Sequence, residues 1–346
     1  METQEARTTQ SSTPVDSMTG RQRIERVVAR QPTDRLPMGT LAGVYPQALP
    51  ALESYLGVKG NEAVLEALGV DDRWAFVGTA REIPLGSGKW RTVWGTTDRL
   101  PDGSHAGYSA GVSPRPLSQA ATVADVEAYS WPTADDFDVG TIPPADQAHL
   151  RSYSLMYEAA PPVFDTLCQL MGVPEALMLL LTAPAAVEAA VAHISHICLE
   201  LGRRALDRYG DLLHQVYVWD DVSDSRGPLF NPSLWRRFFR PQLARQIALI
   251  KSRGLIAHYH CCGAMSWMIP DLIDMGIDIL DPLQVHLPGM EPERLKREYG
   301  RHLVFWGGIN TQQTLPFGTP EQVRAEVRER ACWARVGATY SHPTTP

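Results

Sequence analysis

LIAHYHCCGAM, residues 255–265, carries the reading of this chain. An apolar run, Leu255 to Ala257, leads into His258, His260, Cys261 and Cys262 and breaks at Gly263. A helical pattern follows over 264–275, so the stretch reads as a strand feeding a helix. Side chains alternate along a strand, so His258, His260 and Cys262 share one face while Cys261 points away. An imidazole and a thiol two residues apart at a strand end make a partial zinc site. Zinc takes N and S ligands, and a catalytic centre keeps one position open. The competing reading is packing. Cysteine is readily buried, and an isolated H-x-C is more often structural than metal-bound. A redox pair is disfavoured, because vicinal cysteines in an extended strand do not readily close an unstrained disulfide.

The same unit recurs along the chain. Strands are predicted at 153–160, 212–219, 254–262, 277–283, 302–308 and 336–341. Helices are predicted between them at 162–171, 184–209, 232–252, 264–275, 291–299 and 319–334. Alternating strands and helices imply a parallel sheet. Two further strands near 36–42 and 73–78 bring the number to eight, which closes a (β/α)8 TIM barrel of the α/β class. A doubly wound sheet for dinucleotides has little support, since no GxGxxG follows a strand. Residues 1–20 read as a disordered leader and 21–346 as one barrel domain, with a Gly/Trp/Ser/Pro-rich insertion over 86–117 read as a hairpin or lid.

Composition narrows the partners. Over 346 residues the net charge is -7, so no basic field exists to hold a nucleic acid backbone. The most apolar run, Ala176 to Val187, is broken by Pro184 and falls short of a membrane span. The N-terminus lacks the apolar core of a secretory signal, and five unevenly spaced cysteines form no disulfide framework. A cytoplasmic protein is expected.

In a barrel, chemistry gathers at the C-terminal ends of the strands. Those ends carry Trp219-Asp220-Asp221, His260-Cys261-Cys262, Asp281-Pro282-Leu283-Gln284, Gly307-Gly308-Ile309-Asn310 and Ser341-His342. Two motifs elsewhere are decoys. GYSAG, 107–111, matches a nucleophile elbow but lacks the strand before and the helix after it. GSGKW, 86–90, has Trp90 where a phosphate loop needs Ser or Thr.

Several segments resemble the uroporphyrinogen decarboxylase superfamily, in particular its methylcorrinoid-dependent methyltransferase-like branch. They are VWDDVSDSRGPLFNPSLWRRFFRP (218–241), HYHCCGAM (258–265), DLIDMGIDILDPLQ (271–284) and GMEPERLKREYGRHLVFWGGINTQQTLPFGTPEQV (289–323). Looser likeness extends over most of 21–342. The resemblance implies a zinc held by His260 and Cys262, with a third ligand from the last strand, where His342 is the candidate. It implies that Asp220 and Asp221, as catalytic residues, and Gln284 and Asn310, as substrate-binding residues, shape the site. Asn310 stands where the family usually carries an acid.

The activity so implied is methyl transfer between a corrinoid, carried on a partner protein, and a thiol or other small acceptor. The alternative is a metal-free uroporphyrinogen decarboxylase. That substrate's many carboxylates call for arginines in the first-strand loop, and MGTLAGVYPQ (38–47) has none. A third reading, a barrel without chemistry, is motivated by the altered closing segment WARVGATYSHPTTP.

Overall fold

The computed structural model describes residues 16–40, 43–75, 83–86, 89–99, 115–158 and 160–335. Nine strands are described: β1 Asp72–Ala75, β2 Ile83–Gly86, β3 Lys89–Arg91, β4 Thr97–Arg99, β5 Ser154–Glu158, β6 Gln215–Trp219, β7 Ile256–His260, β8 Ile279–Asp281 and β9 Val304–Phe305. Six of them form one sheet in the order β1-β5-β6-β7-β8-β9, every pair parallel. A doubly wound sheet reverses its strand order midway. Here each new strand is added on the same side, through a helical crossover, and that is the winding of a (β/α)8 TIM-barrel fold.

Both faces of the strands are buried, so they read as nearly continuous apolar runs. In β6, Val216 and Val218 face the helices and join the large outer core, while Tyr217 faces inward. The inner cluster unites Met156, Tyr217, Ile256, Ile279, Val304 and Trp306 with Ile24 and Val27 of the first helix, Gly20–Val28. That helix starts at Thr19, whose capping box with Gln22 satisfies two end amides. Its apolar face covers the floor of the barrel. Arg23, 1% exposed, anchors it through Asp34 at 2.7 Å and through Asp71. Arg35 holds the same Asp71 at 2.7 Å and Asp16 at 3.0 Å.

The first expected strand, 36–42, differs. Residues 36–40 form no strand, and 41–42 lie outside the described residues. The segment runs beside β1, but much of its pairing goes through side chains. Met38 O accepts from Asp71 N at 2.6 Å, Thr40 N donates to Asp72 Oδ1 at 3.0 Å, and Trp74 Nε1 donates to Thr40 O at 2.8 Å. Gly39 is needed there, because any Cβ would collide with the Trp306 indole from the β9 edge. The segment beside β1 thus packs directly against that ring. The last expected strand, 336–341, lies outside the described residues.

The helix expected over 232–252 is two, Pro232–Phe238 and Arg240–Ser252, with Pro241 at the start of the second. A proline is tolerated in a first turn, but in mid-helix it would cost a hydrogen bond. Another helix, Val173–Thr182, fills the apolar run after 171. The insertion opens as an antiparallel sheet, β2-β3-β4, in keeping with a hairpin; residues 100–114 lie outside the described residues. Among the described residues one single helix, Pro184–Tyr209, is long and apolar enough to cross a membrane, but 56% of its apolar window is buried within this protein. Ala190, Ile194 and Leu201 on it pack into the outer core.

Candidate metal centre

Every strand of the sheet points the same way, so its C-terminal ends collect at one mouth. The register places Trp219 of β6 beside His260 of β7, and His260 beside Asp281 of β8. Inward-facing side chains therefore succeed one another around the rim. After β7 the chain turns at Gly263, whose φ of 97° suits glycine and whose Cβ position lies 2.5 Å from Asp224 O. Ala264 N donates to that same oxygen at 2.8 Å, and Gly263 N donates to Gln284 Oε1 at 2.7 Å. The turn after β7 is thus clamped between the loops that follow β6 and β8.

This clamp brings Asp221, His260 and Cys262 together, with one ligand atom from each within 4.8 Å of the others. Cys262 Sγ lies 3.4 Å from His260 Nε2, which lies 3.9 Å from Asp221 Oδ1. Cys262 N donates to Asp221 Oδ1 at 2.6 Å, so the acid also fixes the backbone of the cysteine. Two ligands of one tetrahedral zinc lie about 3.5 Å apart, given bonds of ~2.0–2.3 Å. The spacing and the N, S, O donor set fit such an ion. The side chains of His260 and Asp221 are 11% and 14% exposed, and Cys262 is half-buried, so the cluster opens toward solvent on one side.

Electrostatics reinforce the grouping. Burial opposes a charge on His260, but the Asp281 carboxylate and the Cys262 thiol outweigh it and raise the imidazole's pKa well above its usual value. Burial likewise tends to raise Asp281, but His260 and His258 together hold its carboxyl below the ordinary range. Cys261 is fully buried in the outer core, and its thiol is pushed up by burial. Alternation along β7 separates the two cysteines as the sequence implies.

The remaining expected site residues are placed as follows. Asp220 is 9% exposed, and its two oxygens accept from Phe164 N at 2.7 Å and Asp165 N at 3.1 Å. It caps the helix Val163–Met171, away from the three donors, and burial raises its pKa well above the carboxylate range. Gln284 supports the turn at Gly263. Asn310 Oδ1 accepts from Gln312 N and Gln313 N, both at 3.0 Å, and so shapes the turn after β9. His342 lies outside the described residues. The rim also holds Glu158, which accepts from Trp219 Nε1 at 2.6 Å, and Asp281. Neither was singled out by motif. The signal available was position alone, as an acid at the end of a candidate strand.

A family model for uroporphyrinogen decarboxylase (URO-D) matches residues 159–338, just over half of the 346 residues. No curated protein sequence matches the chain. Among solved structures, a methyltransferase from Methanosarcina mazei is similar in fold, with a TM-score of 0.57 at 14% identity. The match covers 95% of this chain and 93% of that one. With the family match spanning β6 to β9 and every described donor of the cluster, this chain belongs to the uroporphyrinogen decarboxylase family.

Proposed function

We propose that this protein is a zinc-dependent methyl-transfer enzyme whose metal centre is built from Asp221, His260 and Cys262. The convergence of three N, S and O donors at the mouth of the barrel carries the reading. His260 at the end of β7 and Cys262 in the turn after it would hold the ion, and Asp221, which fixes the Cys262 amide, would reach it from the neighbouring loop. Bound there, zinc would lower the pKa of a substrate thiol so that the nucleophilic thiolate forms near neutral pH. Trp219 and Glu158 flank the cluster and would orient the acceptor. The structural neighbour, a methyltransferase, supports the same class of reaction. A corrinoid on a partner protein is the methyl donor or acceptor in this reading, and a cytoplasmic setting goes with it. His342 is a further candidate ligand, from the last expected strand. Asp220 serves this centre by anchoring the loop that carries Asp221.

Metal analysis tests the proposal. The expected result is about one zinc per chain after dialysis, lost in Cys262→Ala and kept in Cys261→Ala. A folded, metal-free protein that cannot be reloaded would overturn it. That outcome would return weight to the metal-free decarboxylase, although 38–47 lacks the arginines a polycarboxylate demands.

A further inference from the structure

Beneath His260 the barrel interior holds a column of polar side chains where apolar packing is the rule. Gln215, His258 and Asp281 are 0%, 1% and 3% exposed. All three face inward, on adjacent strands β6, β7 and β8. Burying three such groups costs desolvation unless their hydrogen bonds are returned. Gln215 Nε2 donates to Ser154 Oγ at 2.6 Å, which turns its carbonyl oxygen toward His258 Nδ1 at 3.2 Å. His258 therefore spends its Nδ1 proton on Gln215. Its Nε2 lies 2.9 Å from Asp281 Oδ1, a close contact set off the line of a hydrogen bond. The other oxygen, Oδ2, lies 3.0 Å from His260 Nδ1. Rings pack this column from the sides, Trp306 at 4.9 Å and Tyr217 at 5.3 Å from His258.

The column ends on the one ring of the set that reaches the mouth. With Asp281 accepting from Nδ1–H, the opposite nitrogen of His260, Nε2, faces Cys262 and Asp221. A histidine ligand is held in one tautomer and one orientation by the group bound to its second nitrogen. We propose that Asp281, backed by His258 and Gln215, is the positioning residue of the centre, aiming Nε2 of His260 at the cation. The proposal rests on the reading of Asp221, His260 and Cys262 as a cation site.

The test uses the full chain, with zinc affinity measured by chelator competition and the d–d spectrum recorded after cobalt(II) substitution. Asp281→Ala is expected to weaken zinc about 10- to 100-fold and to shift the cobalt bands, with Cys262 still in place. Asp281→Asn keeps an oxygen for Nδ1 but not the charge, and a smaller loss of affinity is expected. If Asp281→Ala fails to fold, Asp281→Asn decides alone: weakened zinc supports the proposal, and wild-type affinity overturns it. Thr122→Ala, which removes a helix cap on another element, is the control for destabilisation and should leave affinity and spectrum unchanged. Wild-type affinity and spectrum in Asp281→Ala would overturn the positioning role. A wild-type protein that binds no zinc would instead overturn the site itself.

Discussion

The floor and the mouth of the barrel both bury charge, but they satisfy it differently. At the floor, acids meet guanidinium groups: Asp34 and Asp71 hold Arg23, and Asp71 and Asp16 hold Arg35. At the mouth, Asp281 meets two imidazoles, and Asp221 meets a backbone amide and stands near the His260 and Cys262 donors. Guanidinium is always charged and geometrically fixed, so the floor is a permanent clamp. Imidazole and thiol can exchange a proton for a metal, so the mouth is suited to binding. Buried charge in one barrel thus serves two ends, and mutations separate them.

The largest effect is expected from Arg23→Met at the floor. It leaves Asp71 and Asp34 short of a buried partner, and a loss of about 3–5 kcal/mol in urea unfolding is expected. Zinc stoichiometry of the folded fraction should not change. A loss under about 1 kcal/mol would mean that the floor is no clamp.

Gly263→Ala probes the mouth. The new Cβ meets Asp224 O at 2.5 Å in a left-handed conformation, so a cost of about 1–3 kcal/mol is expected. Unlike Arg23→Met, it should also weaken zinc, because the turn sets the approach of Cys262 to Asp221.

Asp72 is the exception at the floor. Burial raises its pKa to about 8, with only the Thr40 amide and the nearby Arg73 among the larger effects that lower it. The folded state therefore holds a proton that the unfolded chain releases above pH ~4. Stability is fullest below that value and falls as pH rises toward 8. From pH 6 to 7 the wild type should lose about 1.4 kcal/mol relative to Asp72→Asn. Parallel pH profiles of the two proteins would refute this.

The smallest effect is expected at Arg226, which is 89% exposed and paired with Asp224 at 3.0 Å. Arg226→Ala should change stability by no more than about 0.5 kcal/mol. A larger loss would show that the loop after β6 depends on that exposed pair as well as on the contacts of Gly263 and Ala264.

Much of this was legible in the chain itself, for reasons that differ by residue. Apolar runs flanked by glycine and by helical patterns located five of the six parallel strands as separate units, and β1 emerged at 72–75 within a residue of its expected start. The period of two along 256–262 separated Cys262 from Cys261 without any structure. The first strand misled, because Leu36 to Thr40 is apolar enough to pair but bonds largely through Asp71, Asp72 and Trp74 side chains. Such substitutions leave no periodic trace.

Within the site, local pattern named His260 and Cys262, and the acidic pair at 220–221 was visible as a pair. Only the fold split that pair, since both acids lie beyond Trp219, the end of β6, where strand alternation no longer fixes direction. Asp220 turned outward to the helix Val163–Met171, and Asp221 turned inward to Cys262. Asp281 and Gln215 carried no motif, because their significance lies in a register shared across β6, β7 and β8. Spacing along the chain was enough to locate β1 and β5 to β9 and the face each residue takes along its own strand. Tertiary structure decided which faces meet, because contacts across strands depend on register and curvature, and neither is written in the spacing of one segment.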